Sequence, residues 1–339
     1  MSRRRHLIRY LTGRLALVPV MLWLIASLVF LLLRVAPGDP IDALLGTRAP
    51  QAARAALRHQ LGLDQPLLVQ YGHYLQDLLH GQLGNSLTNQ EPVTSVIGRS
   101  LPASLELGLV ALLIAAISGL AVGFSGVARP EGRLDLAARL YGIGTYALPP
   151  FWAAMVVQLV FAVWLGWLPV GGRFPATLEP PSGSGFYLLD SLLSGNSTQL
   201  LASLRHLLLP AGTLGLLLSG VFANALRLNL RRALDSDYVE AARSRGLSER
   251  RVVLGHALPN ALLPVLTITG ITVASLIGGA LLIEVTYSWP GVAFRLQEAI
   301  GQRDYPVVQG IVVVVAALVV AVSVLVDLLV ALLDPRIRF

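Results

Sequence analysis

The sequence contains no cysteine and no lysine. Without cysteine, disulfides, thiolate metal sites and cysteine nucleophiles are excluded. Without lysine there is no Walker A phosphate loop, so the chain cannot be a standard P-loop ATPase. Charge is scarce too. Charged residues make up 13% of the 339 positions, against about 25% in a soluble domain. Apolar residues make up 55% and are gathered into long runs, the mark of an integral membrane protein. All 26 basic residues are arginine, and the net charge is +7. That balance is compatible with nucleic-acid binding, but many of the arginines stand at the ends of apolar runs, where membrane topology accounts for them.

About 20 apolar residues cross a bilayer core. Six stretches qualify: 15–33, 107–127, 140–165, 207–226, 265–283 and 307–326. The basic head before the first resembles a signal peptide. The run is long, however, and no small-residue cleavage site closes it, so it reads as a retained first helix. Six spans put both termini on one side. With the termini inside, the inner segments hold 17 of the 26 arginines, seven of them between spans four and five. Five of the other nine lie in the long 34–100 segment, where the positive-inside rule barely applies. Both termini and the 227–264 segment are therefore expected in the cytoplasm.

Local signals fill in the rest. Asp64-Gln65-Pro66 predicts a helix start, followed by Leu67, Leu68, Tyr71, Tyr74, Leu75, Leu78 and Leu79 at helical spacing and closed by Gly81 and Gly84. Arg129-Pro130-Glu131-Gly132-Arg133 reads as a tight turn joining spans two and three. Pro149-Pro150 predicts a kink in span three. Gly212, Gly215 and Gly220 in span four, and Ser275, Gly278, Gly279 and Ala280 in span five, offer small surfaces for close helix packing. The 166–206 segment is rich in Gly, Pro and Ser, and Tyr287–Gly291 (YSWPG) reads as an external turn. There is no internal repeat and no second soluble domain.

The cytoplasmic stretch DYVEAARSRGLSERRVVLGHALPNALLP (237–264) is too polar to span and too patterned for a slack loop. Asp237-x-x-Glu240 fits a capping box and predicts a helix over about 238–245. Gly246 falls where a C′ glycine needs positive φ. Ser248 can cap a second helix, with Glu249 favouring its start, and Pro259 and Pro264 punctuate the return to span five. A helix–turn–helix projecting from the inner face is expected, with small Ala241 and Ala242 on its first arm. Such a compact projection suits a groove on a partner.

Glu240-Ala241-Ala242, three residues, Gly246, then Leu258-Pro259 resembles the EAA loop of ABC importer permeases. His256 stands where that pattern has isoleucine. The runs LGLDQPLLVQY (61–71), LPASLELGL (101–109), GWLPVGGR (166–173), RHLLLPAGTL (205–214), YSWPGV (287–292), RDYPVVQG (303–310) and LLDPRIRF (332–339) are similar to the dipeptide/oligopeptide/nickel permeases. The match is to the first permease subunit and extends over nearly the whole chain.

The resemblance implies an all-α polytopic membrane protein with six transmembrane helices and the type I ABC importer permease fold. It implies a multi-pass protein of the bacterial plasma membrane. It divides the chain into an N-terminal tail, first helix and external segment (1–100), a five-helix core with a coupling loop at about 235–262 (101–333), and a short tail (334–339). The implied partners are a homologous second permease, two cytoplasmic ATPases that bind ATP and magnesium, and an external or periplasmic binding protein. The chain itself is expected to be no enzyme and to hold no cofactor or metal. Asp237, Glu240, Ala241, Ala242, Gly246, Leu258 and Pro259 would contact the ATPase. Short peptides are the implied substrate, with nickel, glutathione or another small ligand as alternatives.

Polar residues inside spans are costly and worth marking. Gln158, Asn224, Glu284 and Asp327 are candidates for pore lining or for bonded structural groups. Two other classes compete. An ion-coupled secondary transporter would show interrupted spans in inverted repeats and midplane charges, and a membrane hydrolase would need a convergent nucleophile and base. Neither signature is present in the sequence.

Overall fold

The computed structural model describes residues 3–35, 39–46, 49–127 and 132–333. Most of the 129–133 turn and the 334–339 tail lie outside them. Five of the six apolar runs become helices longer than the runs themselves, because polar residues at either end continue the hydrogen-bond ladder. The order is α1 (Arg3–Val35), α2 (Pro40–Leu45), α3 (Gln51–Gln60), α4 (Leu67–Leu79), α5 (Val93–Ser125), α6 (Arg133–Ala147), α7 (Pro150–Gln158), α8 (Tyr187–Leu193), α9 (Ser197–Leu234), α10 (Asp237–Ser244), α11 (Glu249–Arg251), α12 (Leu258–Thr286), α13 (Val292–Gln302) and α14 (Tyr305–Leu333). Among the described residues there is no strand, only one isolated antiparallel bridge between Asn85 and Pro92.

Among the described residues, five helices are long and apolar enough to cross a membrane, and α6 with the α7 segment makes a sixth if counted as one span. That span is broken rather than kinked, with a bend of 100° between its arms. Leu148, before two prolines, turns to extended backbone at ψ 123° and ends α6. Pro149 and Pro150 then open α7 with φ already suited to a first turn. The second arm continues through a π-helical turn, Leu159–Trp164.

The centre of the fold is α9 packed on α5, with α6 and α12 flanking it. Glycines permit the approach. A Cβ on Gly119 would lie 2.4 Å from the Ser219 carbonyl oxygen, and one on Gly123 would lie 2.5 Å from that of Ala223. Gly215 meets α5 and Gly220 meets Thr145 of α6 in the same way, whereas Gly212 touches nothing. The expected glycine packing in span four thus involves two of its three glycines. Ala280 is buried in span five.

One core cluster of α5, α7, α9 and α12 residues closes over Tyr287 and Trp289. Tyr287 and Trp289 of the YSWPG turn are accordingly buried, while Ser288 between them is exposed. Trp289 donates its indole N–H to the Ala103 carbonyl at 2.9 Å. A second cluster joins the other end of α9 to α10 and the start of α12. A third gathers α1, the start of α5, α13 and α14.

The 64–79 region forms the expected helix, but Asp64 does not cap it. Pro66 holds the N-cap position, and Asp64 pairs with His59. The helix lies against α1. The Tyr71 and Ser27 hydroxyls are 2.6 Å apart, and the rings of Tyr71 and Tyr74 pack on Phe30.

Candidate functional site

α9 continues past its apolar run and ends at Leu234, and Asp235 and Ser236 turn the chain into α10. Ser236 takes the N-cap position in extended backbone, and Asp237 is the first helical residue. The capping box read from Asp237 and Glu240 does not form. The Ser236 hydroxyl bonds back to the Ala233 carbonyl, while the Glu240 N–H reaches the Ser236 carbonyl at 3.2 Å. The carboxylates of Asp237 and Glu240 still lie in the first turn, where the helix dipole favours them.

α10 ends as expected. Gly246 has φ +74°, its N–H donates to the Arg243 carbonyl at 2.9 Å, and the Leu247 N–H donates to the Ala242 carbonyl at 3.4 Å. These are the two bonds of a Schellman motif, which satisfies carbonyls that the helix end would orphan. Arg243 reaches across the turn to Glu249 at 2.7 Å. Ser248 sits at the next N-cap without a side-chain bond.

The second arm is not punctuated by its prolines. It runs as one helical path from Glu249 through α11, a π-helical turn (Val252–Ala257) and α12. Pro259 cannot donate to the Gly255 carbonyl and would crowd it. The π turn lies across that point, and such turns are a recognised way to absorb a break in the ladder. His256 is half-buried within this turn, and its carbonyl accepts from the Asn260 side chain at 2.9 Å.

The two faces of α10 differ. Val239 and Ala242 are buried against Leu230, Ala233, Val252 and Ala257, with Leu258 half-buried beside them. Asp237, Tyr238, Glu240, Ala241, Ser244, Arg245, Gly246 and Pro259 are exposed. The seven residues singled out in the loop therefore split. Ala242 and Leu258 hold the element on the body, and Asp237, Glu240, Ala241, Gly246 and Pro259 face outward.

Most of the marked polar residues are bonded within the chain. Glu284 is fully buried, accepts from the Ser104 hydroxyl at 2.5 Å and from the Phe294 N–H at 2.9 Å, and so closes the N-terminus of α13. Gln158 donates to the carbonyls of Val170 and Thr286 at the far end of α12. Asp327 pairs with Arg14 at 2.8 Å, joining α14 to α1. Asn224 alone of the four is exposed, partway along α9.

The structure adds groups that the sequence reading did not single out, although Glu106 and Arg173 lie inside the runs 101–109 and 166–173. Glu106 and Arg173 form a buried pair at 2.7 Å. The same guanidinium donates to the Gly185 carbonyl at 2.6 Å and stacks 3.8 Å above the Tyr187 ring. Asp190 closes the same loop, accepting from the Ser184 N–H at 3.0 Å, the Ser184 hydroxyl at 2.8 Å and the Gly185 N–H at 3.0 Å. Burial pushes its carboxyl up, but these bonds and the nearby Arg173 outweigh that and hold it below the usual carboxylate range. Asp135, at the start of α6, holds arginines from α6 and α9. The partners in these ion pairs are 67 to 96 residues apart, apart from the local Arg139. Spacing along the chain carries no trace of them beyond the cost of placing such groups beside apolar runs.

The profile described as the inner membrane component of binding-protein-dependent transport systems matches residues 111–339, and the profile of its N-terminal region matches 7–108. The chain belongs to this family. It is similar over 98% of its length, at 41% identity, to 99% of the di/tripeptide transport system permease protein DppB of Pseudomonas aeruginosa. It is 37% identical to the dipeptide transport system permease protein DppB of Alkalihalophilus pseudofirmus, covering 96% of this chain and 97% of that one. It is 40% identical to the probable D,D-dipeptide transport system permease protein DdpB of Escherichia coli, covering 92% of each. Among solved structures, an amino acid ABC transporter with histidines aligns at TM-score 0.48 and 16% identity, over 72% of this chain and 95% of that one. As a family member the chain is a multi-pass permease of an ABC importer with the type I permease fold, a membrane component that works with ATPase and substrate-binding partners.

Proposed function

We propose that this chain is the permease subunit through which an ATP-driven importer moves short peptides. The observation that carries the substrate class is end-to-end similarity at 41% identity to a protein named as a di/tripeptide permease. Two cytoplasmic ATPases supply the force, holding the ATP and magnesium that this lysine-free chain has no phosphate loop to bind. A homologous second permease completes the pore, and a binding protein delivers the peptide from outside. The chain carries out no chemistry of its own. The termini and α10 lie in the cytoplasm, a reading supported by the excess of arginine in the inner segments.

The coupling loop, at about 235–262, is the site of force transfer. Its support is geometric. α10 is short and closed by a glycine turn, with its buried face on the body and Asp237, Glu240, Ala241 and Gly246 outward. When the ATPases close on ATP, α10 is displaced as a rigid piece, and the spans it is built on reorient so that the pore opens outward. Hydrolysis resets them. Asn224, exposed along α9, lines the pore in this reading, while Gln158, Glu284 and Asp327 hold the spans together.

The test is reconstitution of the complete transporter in liposomes with a labelled dipeptide and the binding protein. Uptake should require internal ATP and all subunits. Uptake driven by an ion gradient with the ATPases left out would refute the reading. ATP-driven uptake of nickel or glutathione, but no di- or tripeptide, would replace the substrate class alone.

A further inference from the structure

Asp135 is 1% exposed on the first turn of α6. Its Oδ1 accepts from Arg227 at 2.9 Å, and its Oδ2 accepts from Arg231 at 3.1 Å and from Arg139 Nε at 3.1 Å. Arg227 and Arg231 stand one turn apart on α9, and Arg139 stands one turn along α6. Every oxygen of the carboxylate is therefore engaged, and two of the three arms cross to another helix. Arg227 is itself largely buried, at 11% side-chain exposure. The end of α5 closes the same corner. A Cβ on Gly126 would lie 2.7 Å from Ala138 Cβ on α6 and 3.3 Å from Arg227 Cδ on α9.

The location gives this cluster its meaning. α9 ends three residues after Arg231, and α10 begins at Asp237. α6 is the first arm of the broken span, and its far end is the 100° bend into α7. A displacement of α10 thus enters the membrane part through the last turn of α9, next to Arg231. Three guanidiniums gathered without a carboxylate would repel one another and open the α6–α9 corner. With it, the two helix ends are tied by charge-assisted bonds at several points.

We propose that Asp135 is a positioning residue that makes the cytoplasmic ends of α6 and α9 one rigid unit, so that movement of α10 is delivered to the broken span. The proposal rests on the reading of α10 as the ATPase-docking element.

The whole transporter in liposomes tests it, with peptide uptake and ATP hydrolysis measured together. Asp135→Asn should leave ATP hydrolysis within about twofold while uptake per ATP falls by about tenfold, within the range of ordinary coupling energies. Asp135→Glu should recover most of that ratio. Arg231→Gln, which removes one partly exposed arm, should lower the ratio by a smaller factor and serves if Asp135→Asn does not assemble. An unchanged ratio in Arg231→Gln and in any assembled Asp135→Asn overturns the proposal. A distance between spin labels on cysteines introduced at Ile143 and at Ser244, an exposed α10 position outside the named docking residues, provides a readout independent of uptake. It should stay constant between nucleotide-free and ATP-bound states of the unmutated chain and change in Asp135→Asn or Arg231→Gln. A change in the unmutated chain also overturns the proposal. If the unmutated transporter shows no ATP-driven uptake at all, the docking reading fails, and the label distance still decides whether α6 and α10 move together.

Discussion

At Gly246 the backbone has φ +74°, and the position of a Cβ is open space. The requirement for glycine there is conformational and not steric, and a left-handed L-residue costs about 1–2 kcal/mol. Gly246→Ala should therefore speed amide exchange across 237–247 by about tenfold, and Gly246→Val by more, with the spans unaffected in exchange mass spectrometry. Gly119 is the opposite case, since φ is ordinary there and space is lacking. A valine at that position has to displace the Ser219 backbone, and loss of monodisperse protein in detergent is the expected outcome. Asp190 carries a pH prediction. Its folded pKa is depressed, so its contribution is present above the unfolded value of about 3.9 and is lost as pH falls through the lower folded value. Protection of the Ser184 and Gly185 amides, taken relative to their intrinsic exchange rates, should hold at neutral and mildly acid pH and be lost only below about pH 4. Asp190→Asn should exchange faster at neutral and mildly acid pH and converge on the unmutated chain once pH falls below that range.

Between elements, α10 offers a contrast within two adjacent residues. Ala241 is exposed and Ala242 is buried against the second core cluster. Ala241→Trp should leave the permease as stable as before but prevent the ATPase subunits from co-purifying. Ala242→Trp overpacks the core and should cost about 1–3 kcal/mol of stability, read as a lower melting temperature of the purified chain. Equal effects of the two on melting and on ATPase retention would remove the distinction between body face and docking face. The same scale shows what was legible from residue order. The apolar runs announced the spans, and Gly246 announced its turn, because both signals are local. The cap was misplaced by one residue because Ser236 and Asp237 are both cap formers, and only the path out of α9 decides between them. α2 and α3 went unread, being short and, in α3, half polar with alanine as nearly all of the rest. Pro259 reads as an interruption, yet the π turn before it carries the helix onward. The buried pairs of Glu106 and Asp135 were out of reach because their partners come from a distant loop, for Arg173, and from the distant helix α9, for Arg227 and Arg231.

For the whole molecule, the absence of cysteine is useful. A single cysteine placed at His80 should react with a membrane-impermeant maleimide added to intact cells, and one at Arg245 should react only after the membrane is opened. The reverse pattern would invert the topology. The expected orientation rests on counting arginines, since short cytoplasmic segments carry the excess of positive residues whatever the fold inside the bilayer. The 100° bend was only half legible. Two prolines signal a break, but its angle depends on what α9 offers the first arm, and that arm has 15 residues, about 22 Å against a hydrocarbon core of about 30 Å. The path from Glu249 to Thr286 is different. It starts in the proposed docking element, is about 57 Å long at 1.5 Å per residue, and near its end carries the Glu284 carboxylate that holds α13. It is a ruler laid through the membrane with one mark on each side. If it is stiff, a probe at Arg250 and a probe at Tyr287 keep a fixed separation through the transport cycle, and news of the inner face reaches α13 as soon as the rod moves. If the separation changes instead, the Val252–Ala257 turn is the joint, and the outer face hears of the inner one late and attenuated.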